Sequence, residues 1–233
     1  MAYTKKPRAP RRRPRAQRRP VARRRYPYRR RFRHMGVPTG LPTQRLARLV
    51  YVNNTEATSN LGVISVLKYR ANSVFDPDQT GVGHQPFGFD TWATLYNHYV
   101  VLGAKITVKA INSIPDGASP AYIGCYLSDD TDISNYPNAY QLMEAGKGSY
   151  RLVNPGNNRP IAFGSRFSAK KFFNVTDVKD NARLAAAVTA NPLEGAIFNV
   201  WYQTGNGSTA TMYLSVRLEY IVSFGEPRDV NTS

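Results

Sequence analysis

No acidic residue occurs before Glu56 in this 233-residue chain, although the stretch through Val50 holds 18 Lys and Arg. A segment of one sign repels itself and buries no apolar area, so it is expected to stay disordered until a polyanion meets it. Cysteine is almost missing as well. Cys125 stands alone, which excludes an intrachain disulfide and a Cys-based zinc site. It lies in the apolar run "PAYIGCYLS" and reads as a small buried hydrophobe. No apolar run is long enough to span a membrane. No hydrophobic segment follows the basic leader, which argues against a secretory signal. Pro7, Pro10, Pro14, Pro20 and Pro27 would break an amphipathic targeting or membrane-surface helix. Catalytic signatures are scarce too: neither Gly-x-Ser-x-Gly nor a Gly-rich Lys-Ser phosphate loop occurs. The expectation is a non-enzymatic protein with no catalytic residue, no metal and no cofactor.

What the chain has in place of these is charge separation. The formal net charge is +17, yet from Tyr51 onward 14 basic residues face 15 acidic ones. A near-neutral body therefore carries a cationic leader. The first 34 residues contain 14 Arg and two Lys, interleaved with Pro, Tyr and Phe. Arginine grips phosphate with a two-pronged fork and stacks its flat face on bases. The candidate nucleic-acid-binding residues are Arg11, Arg12, Arg13, Arg15, Arg18, Arg19, Arg23, Arg24, Arg25, Arg29, Arg30, Arg31 and Arg33. Tyr26, Tyr28 and Phe32 are candidates for stacking on unpaired bases. Such binding is steeply salt-dependent and almost indifferent to sequence. The same residues fit a nuclear localisation signal. Residues 1–45 read as arm and hinge, with "GVPTGLPTQR" as the punctuated hinge, and 46–233 as one folded domain.

The body alternates with a period of two. "LGAKITVKA" sets Leu102, Ala104, Ile106 and Val108 on one face, with Lys105, Thr107 and Lys109 on the other. "TMYLSVRLEYIV" points Met212, Leu214, Val216, Leu218 and Tyr220 inward. "LGVISVLKY", "AYIGCYLS", "GAIFNVWYQ" and "FGSRFSAKKFFNV" are further strand candidates. Only "AYQLMEAG" and "DVKDNARLAAAV" suggest helix, the second with Asp177 or Asp180 as a cap. The pattern predicts an all-β fold, a sandwich of two antiparallel sheets with elaborated loops.

One connection stands out. "FDPDQTGVGHQPFGFDTWATLYNHY" is rich in aromatic residues and restricted by Gly and Pro. Phe87, Phe89, Trp92, Tyr96, His98 and Tyr99 are candidates either for a subunit interface or for capping this domain's own core. His84, near Asp76 and Asp78, and His98, near Asp90, match no metal-ligand spacing and read as structural hydrogen-bonders. Asp129, Asp130 and Asp132 lack calcium-loop spacing and read as a solvated turn.

The arm, the strand-rich body and "VFDPDQTGVGHQPFGFDTWATLYNHYVVLGAKITV" (Val74–Val108) together resemble the capsid protein of circovirus-like, Rep-encoding circular single-stranded DNA viruses. The Phe-Asp-Pro, Gly-His-Gln-Pro and Tyr-Asn-His-Tyr elements carry the resemblance in combination. It implies a single eight-stranded jelly roll, and a homo-oligomer of sixty copies closing into an icosahedral T=1 shell. It also implies an inward arm that binds the packaged viral single-stranded DNA. Its further implied partners are host nuclear import receptors and a host cell-surface receptor or glycosaminoglycan, with no membrane insertion. The implied locations are the virion and, during assembly, the host nucleus. Three other readings fit the residues. One is a capsid of a small single-stranded RNA or satellite virus, since a phosphate grip ignores the sugar. Another is a cellular protein that condenses nucleic acid as a monomer or dimer. The last is an enzyme built around His84 and His98.

Overall fold

The computed structural model describes residues 40–59, 62–112, 120–130, 135–154, 159–205, 207 and 209–228. In chain order the elements are β1 (Gln44–Ser59), β2 (Ser65–Arg70), α1 (Phe89–Leu95), β3 (Tyr96–Asn112), β4 (Ala121–Ser128), α2 (Ala139–Glu144), β5 (Ser149–Val153), β6 (Ile161–Ser168), α3 (Ala169–Phe172), β7 (Ala185–Ala187), β8 (Ile197–Thr204) and β9 (Ala210–Pro227). Sheet one runs β1-β9-β3-β6, with β7 also paired to β3, and sheet two runs β2-β8-β4-β5. Every pairing is antiparallel.

These pairings describe one long hairpin rolled up. β1 pairs with β9, β2 with β8, β3 with β6 and β4 with β5. Rolling then lays β9 against β3 and β8 against β4. This is the jelly roll, eight main strands in two facing sheets. The three-residue β7 is a ninth strand, on the same edge of β3 as β6.

Alternation explains why the sheets close on one another. In β9, Met212, Leu214, Val216, Leu218 and Tyr220 are buried, as the period-two reading requires. In β3, Ala104, Ile106, Val108 and Ala110 are buried while Lys105 and Lys109 are exposed. Sheet two answers with Ile123, Cys125, Phe198, Val200 and Tyr202, and all of these side chains form one core. Fully burying a large apolar side chain is worth about 1.5–3 kcal/mol, so this shared layer dominates the favourable side of folding.

The structure differs from the sequence reading in several places. β3 begins at Tyr96, so Tyr96, His98 and Tyr99 belong to a strand and not to the loop. A register shift between Val101 and Gly103 makes Leu102 an extra, half-buried residue, not a regular member of the inner face. The helix expected in "DVKDNARLAAAV" is absent. The backbone N–H groups of Lys179 and Arg183 donate to the side chains of Asp177 and Asn181, both at 2.9 Å. These Asx turns compete with helix, and the alanines that follow pair with β3 as β7. "FGSRFSAKKFFNV" is strand only through Ser168. It then turns into α3, and Phe172 and Phe173 pack edge-on against Phe167. The helix expected in "AYQLMEAG" is α2, capped by Asn138, whose side chain accepts from the Gln141 N–H at 3.0 Å.

Candidate interface and nucleic-acid surfaces

Every arm residue singled out above, from Arg11 to Arg33 with Tyr26, Tyr28 and Phe32, lies outside the described residues, as does Asp132. The aromatic segment is described throughout, and its members separate into three groups. Phe89, Tyr96 and Tyr99 are buried in the domain's own core. Trp92 is half-buried and stacks on Phe224, with centroids 5.2 Å apart and planes 11° from parallel. Phe87 is 95% exposed, and nearby Val82 is 88% exposed.

Phe224, near the end of β9, organises the buried group. Phe89 and Tyr96 also lie against it, at 6.3 and 6.2 Å between centroids. No local sequence signal singles it out. It falls to this place because β9 pairs Phe224 with Tyr99 across the sheet. Gly88 opens α1 with φ 82°, a conformation glycine adopts without strain, and this reverses the chain between exposed Phe87 and buried Phe89.

The loop that carries Phe87 is anchored at several points. The Asp78 carboxylate, itself buried, accepts from the Thr80 N–H at 3.0 Å and the Thr80 hydroxyl at 2.9 Å. Its other oxygen accepts from Asn53 Nδ2 at 3.3 Å. Asp76 pairs with Arg70. His84 sits over the Tyr51 ring at 4.6 Å, its Nε2 3.0 Å from the Val52 carbonyl oxygen and its Nδ1 2.8 Å from that of Gln85. Both ring nitrogens thus face backbone, and the neighbouring carboxylates hold the loop. Burial first, and then the Asp78 charge, push the Tyr51 hydroxyl up to about 12.

His98 is half exposed on β3, its Nδ1 2.5 Å from a Glu226 carboxylate oxygen. Close by, the Tyr96 hydroxyl donates to the Pro42 carbonyl at 3.0 Å and the Glu226 N–H to that of Thr43 at 3.2 Å. These bonds fix the lead into β1. Cys125 is buried, and burial pushes its thiol up to about 12. Asp129 and Asp130 are exposed beside Ser128, whose hydroxyl accepts from the Asp130 N–H at 3.0 Å.

The outer faces of the two sheets differ. On sheet two, Trp201, Tyr126, Ala139 and Leu142 form a second buried cluster, with Tyr122 and Tyr136 packed against it. The segment around α2 roofs this sheet over β8 and β4, while Tyr150 and Leu152 on edge strand β5 stay about half exposed. Gly124 makes room for the indole, because a Cβ there would lie 2.5 Å from the Trp201 ring. On sheet one, Val52, Ile111, Tyr213 and Ile221 stay partly exposed among Arg48, Lys105, Lys109, Arg166 and Arg217. Glu219 sits between Arg48 and Arg217, at 2.5 and 3.0 Å. These guanidinium groups hold its carboxyl below the usual range.

No protein-family model matches the chain, and no curated protein matches it. Solved structures do. Desmodium yellow mottle tymovirus is similar at 11% identity over 84% of this chain and 95% of that one, with a TM-score of 0.43. Mud crab tombus-like virus is similar at 15% identity over 82% and 94%, with a TM-score of 0.43. The 60-mer BFDV capsid protein is similar at 13% identity over 83% and 100%, with a TM-score of 0.41.

Proposed function

We propose that this chain is a viral coat protein whose jelly-roll bodies close into an icosahedral shell of sixty copies around a circular single-stranded DNA genome. The single observation that carries the reading is Phe87. An aromatic side chain 95% exposed, on a loop fixed by Asp78, Asp76 and His84, is an anchor held ready for a neighbour. An isolated subunit gains nothing from such rigid exposure. A closed assembly of identical subunits buries it in every copy.

The charge distribution supports the second half of the reading. Sixty arms of 16 cations would present about 960 charges, enough to neutralise about half the phosphates of a genome on the order of 2,000 nucleotides. The near-neutral body lets subunits meet without strong repulsion once the arms are compensated. Import receptors of the host nucleus would read the same arginines before assembly. A cell-surface receptor or glycosaminoglycan would meet the outside of the finished virion. Neither role calls for a cofactor or a catalytic group.

Sedimentation of the purified chain tests the shell. Sixty copies of 26.1 kDa predict a species of about 1.6 MDa. A monomer or dimer at physiological salt, with long single strands present, overturns it. Opened particles should yield DNase-sensitive, RNase-resistant cargo, and the reverse pattern replaces DNA with RNA. Deletion of residues 1–34 should leave the body folded and empty the particles.

A further inference from the structure

The bare face of sheet one carries a charge arrangement that a free subunit does not favour. Register places Lys105 directly opposite Arg166. Like charges opposite one another on adjacent strands destabilise the pair. The other cross-strand neighbour of Lys105 is Glu219, which is already held by Arg48 and Arg217. Lys109 lies opposite Ala162, further along the same strands. Among the described residues, none of Lys105, Lys109 and Arg166 has an ion-pair partner.

The surface between them is open. Lys105, Thr107, Ala162, Gly164 and Arg166 line a shallow trough of about 480 Å³. Gly164 is there for backbone packing, since a Cβ would lie 2.1 Å from the Ile106 carbonyl oxygen. The trough floor is therefore low, with cations on its rims. Counting Glu56 and Glu219, the outward positions of β1, β9, β3 and β6 hold five cations and two acids. Residues 46–233 as a whole balance at 15 of each sign. Positive charge is thus concentrated on this face. The arm cannot neutralise it, because its first 34 residues carry no acid. The same face of a second copy bears the same charge.

We infer that the outward face of sheet one is a second phosphate-binding surface, on which Lys105 and Arg166 grip the backbone of a nucleic-acid strand across the Gly164 trough. The ligand class rests on the packaging reading above. In a shell, the inference also orients the subunit, turning sheet one toward the cargo and the roofed sheet two away from it.

The test uses the full chain below the concentration at which it self-associates, with an oligothymidylate probe and a salt series. Replacing both cations, Lys105→Ser with Arg166→Ser, should lower the salt slope by about 1.4 and weaken binding about tenfold at physiological salt. Glu219→Gln frees Arg48 and Arg217 and should move the slope the other way. A role confined to folding would not produce opposite signs, and thermal melts of both variants check that they fold. An unchanged slope in both variants overturns the inference. So does a loss of self-association alone, which assigns the face to a second copy, or a loss of affinity for heparin alone, which assigns it to sulfated polysaccharide. Particles that form and package normally with the slope unchanged sink this surface and spare the shell. A chain that never forms particles but loses slope in the double variant sinks the shell and supports the surface.

Discussion

The two sheets share an inner layer and differ outside it. Over β8 and β4, sheet two is covered by its own chain, with Trp201 buried under α2 and beside Gly124, while its edge strand β5 leaves Tyr150 and Leu152 about half exposed. Sheet one leaves aliphatic, aromatic and cationic side chains open. Strands buried on both faces, as β8 is, are fixed by packing, so their residues are constrained by volume. A sheet with one open face is constrained there by charge and by whatever covers it. Substitutions on the two outer faces should therefore fail in different ways.

The largest effect should come from the layer both sheets share. Tyr99 of β3 and Cys125 of β4 are each pushed up to about 12, chiefly by burial. In the unfolded chain the thiol ionises near 9.0 and the phenol near 10.0. The unfolded state thus releases protons first, and stability falls as pH rises. It should hold up to about pH 9 and then drop by up to about 1.4 kcal/mol per pH unit for each ionising group until about pH 12. Denaturant titrations across that range measure the slope. Cys125→Ala should move the onset up toward pH 10, and an onset that stays at 9 would show that the thiol does not contribute.

Next in size is the roof. Trp201→Ala removes a fully buried indole and should cost about 3–5 kcal/mol in denaturant unfolding. Gly124→Ala adds a methyl that would lie 2.5 Å from that indole, and should cost about 1–3 kcal/mol as the ring or strand shifts. If the pair is coupled, Gly124→Ala should cost much less in the Trp201→Ala background. Equal costs in both backgrounds would mean that the roof does not pack as a unit.

Much of this architecture is legible in the amino-acid pattern itself. The alternation of Met212 to Tyr220 marks a strand with one buried face, because a one-residue slip would expose the whole set. Other features are hidden for physical reasons. The extra residue at Leu102 depends on how β3 meets β9, which no local pattern records. Asn181 and Asp177 favour turn and helix cap alike, and the pairing of Ala185–Ala187 with β3 decides between them. The aromatic cluster is visible as composition. Its division into buried Phe89, half-buried Trp92 and exposed Phe87 is not, because Phe224 arrives from the far end of the chain. The opposition of Lys105 and Arg166 is likewise a matter of long-range register.

That opposition gives the smallest effect. Lys105→Glu turns a like-charge pair into an opposite-charge pair across the same two strands, although it also sets a second acid opposite Glu219. Arg48 and Arg217 already offset the Glu219 charge. The net should be a free subunit more stable by about 0.2–0.5 kcal/mol, read as a small rise in melting temperature at low salt that vanishes at high salt. The same change should weaken oligonucleotide binding. Stability and binding moving in opposite directions at one exposed position would mean that the face keeps its repulsion for a partner. If both fell together, Lys105 would be holding the sheet, and the contrast between a face set by packing and a face set by charge would fail where it is easiest to check.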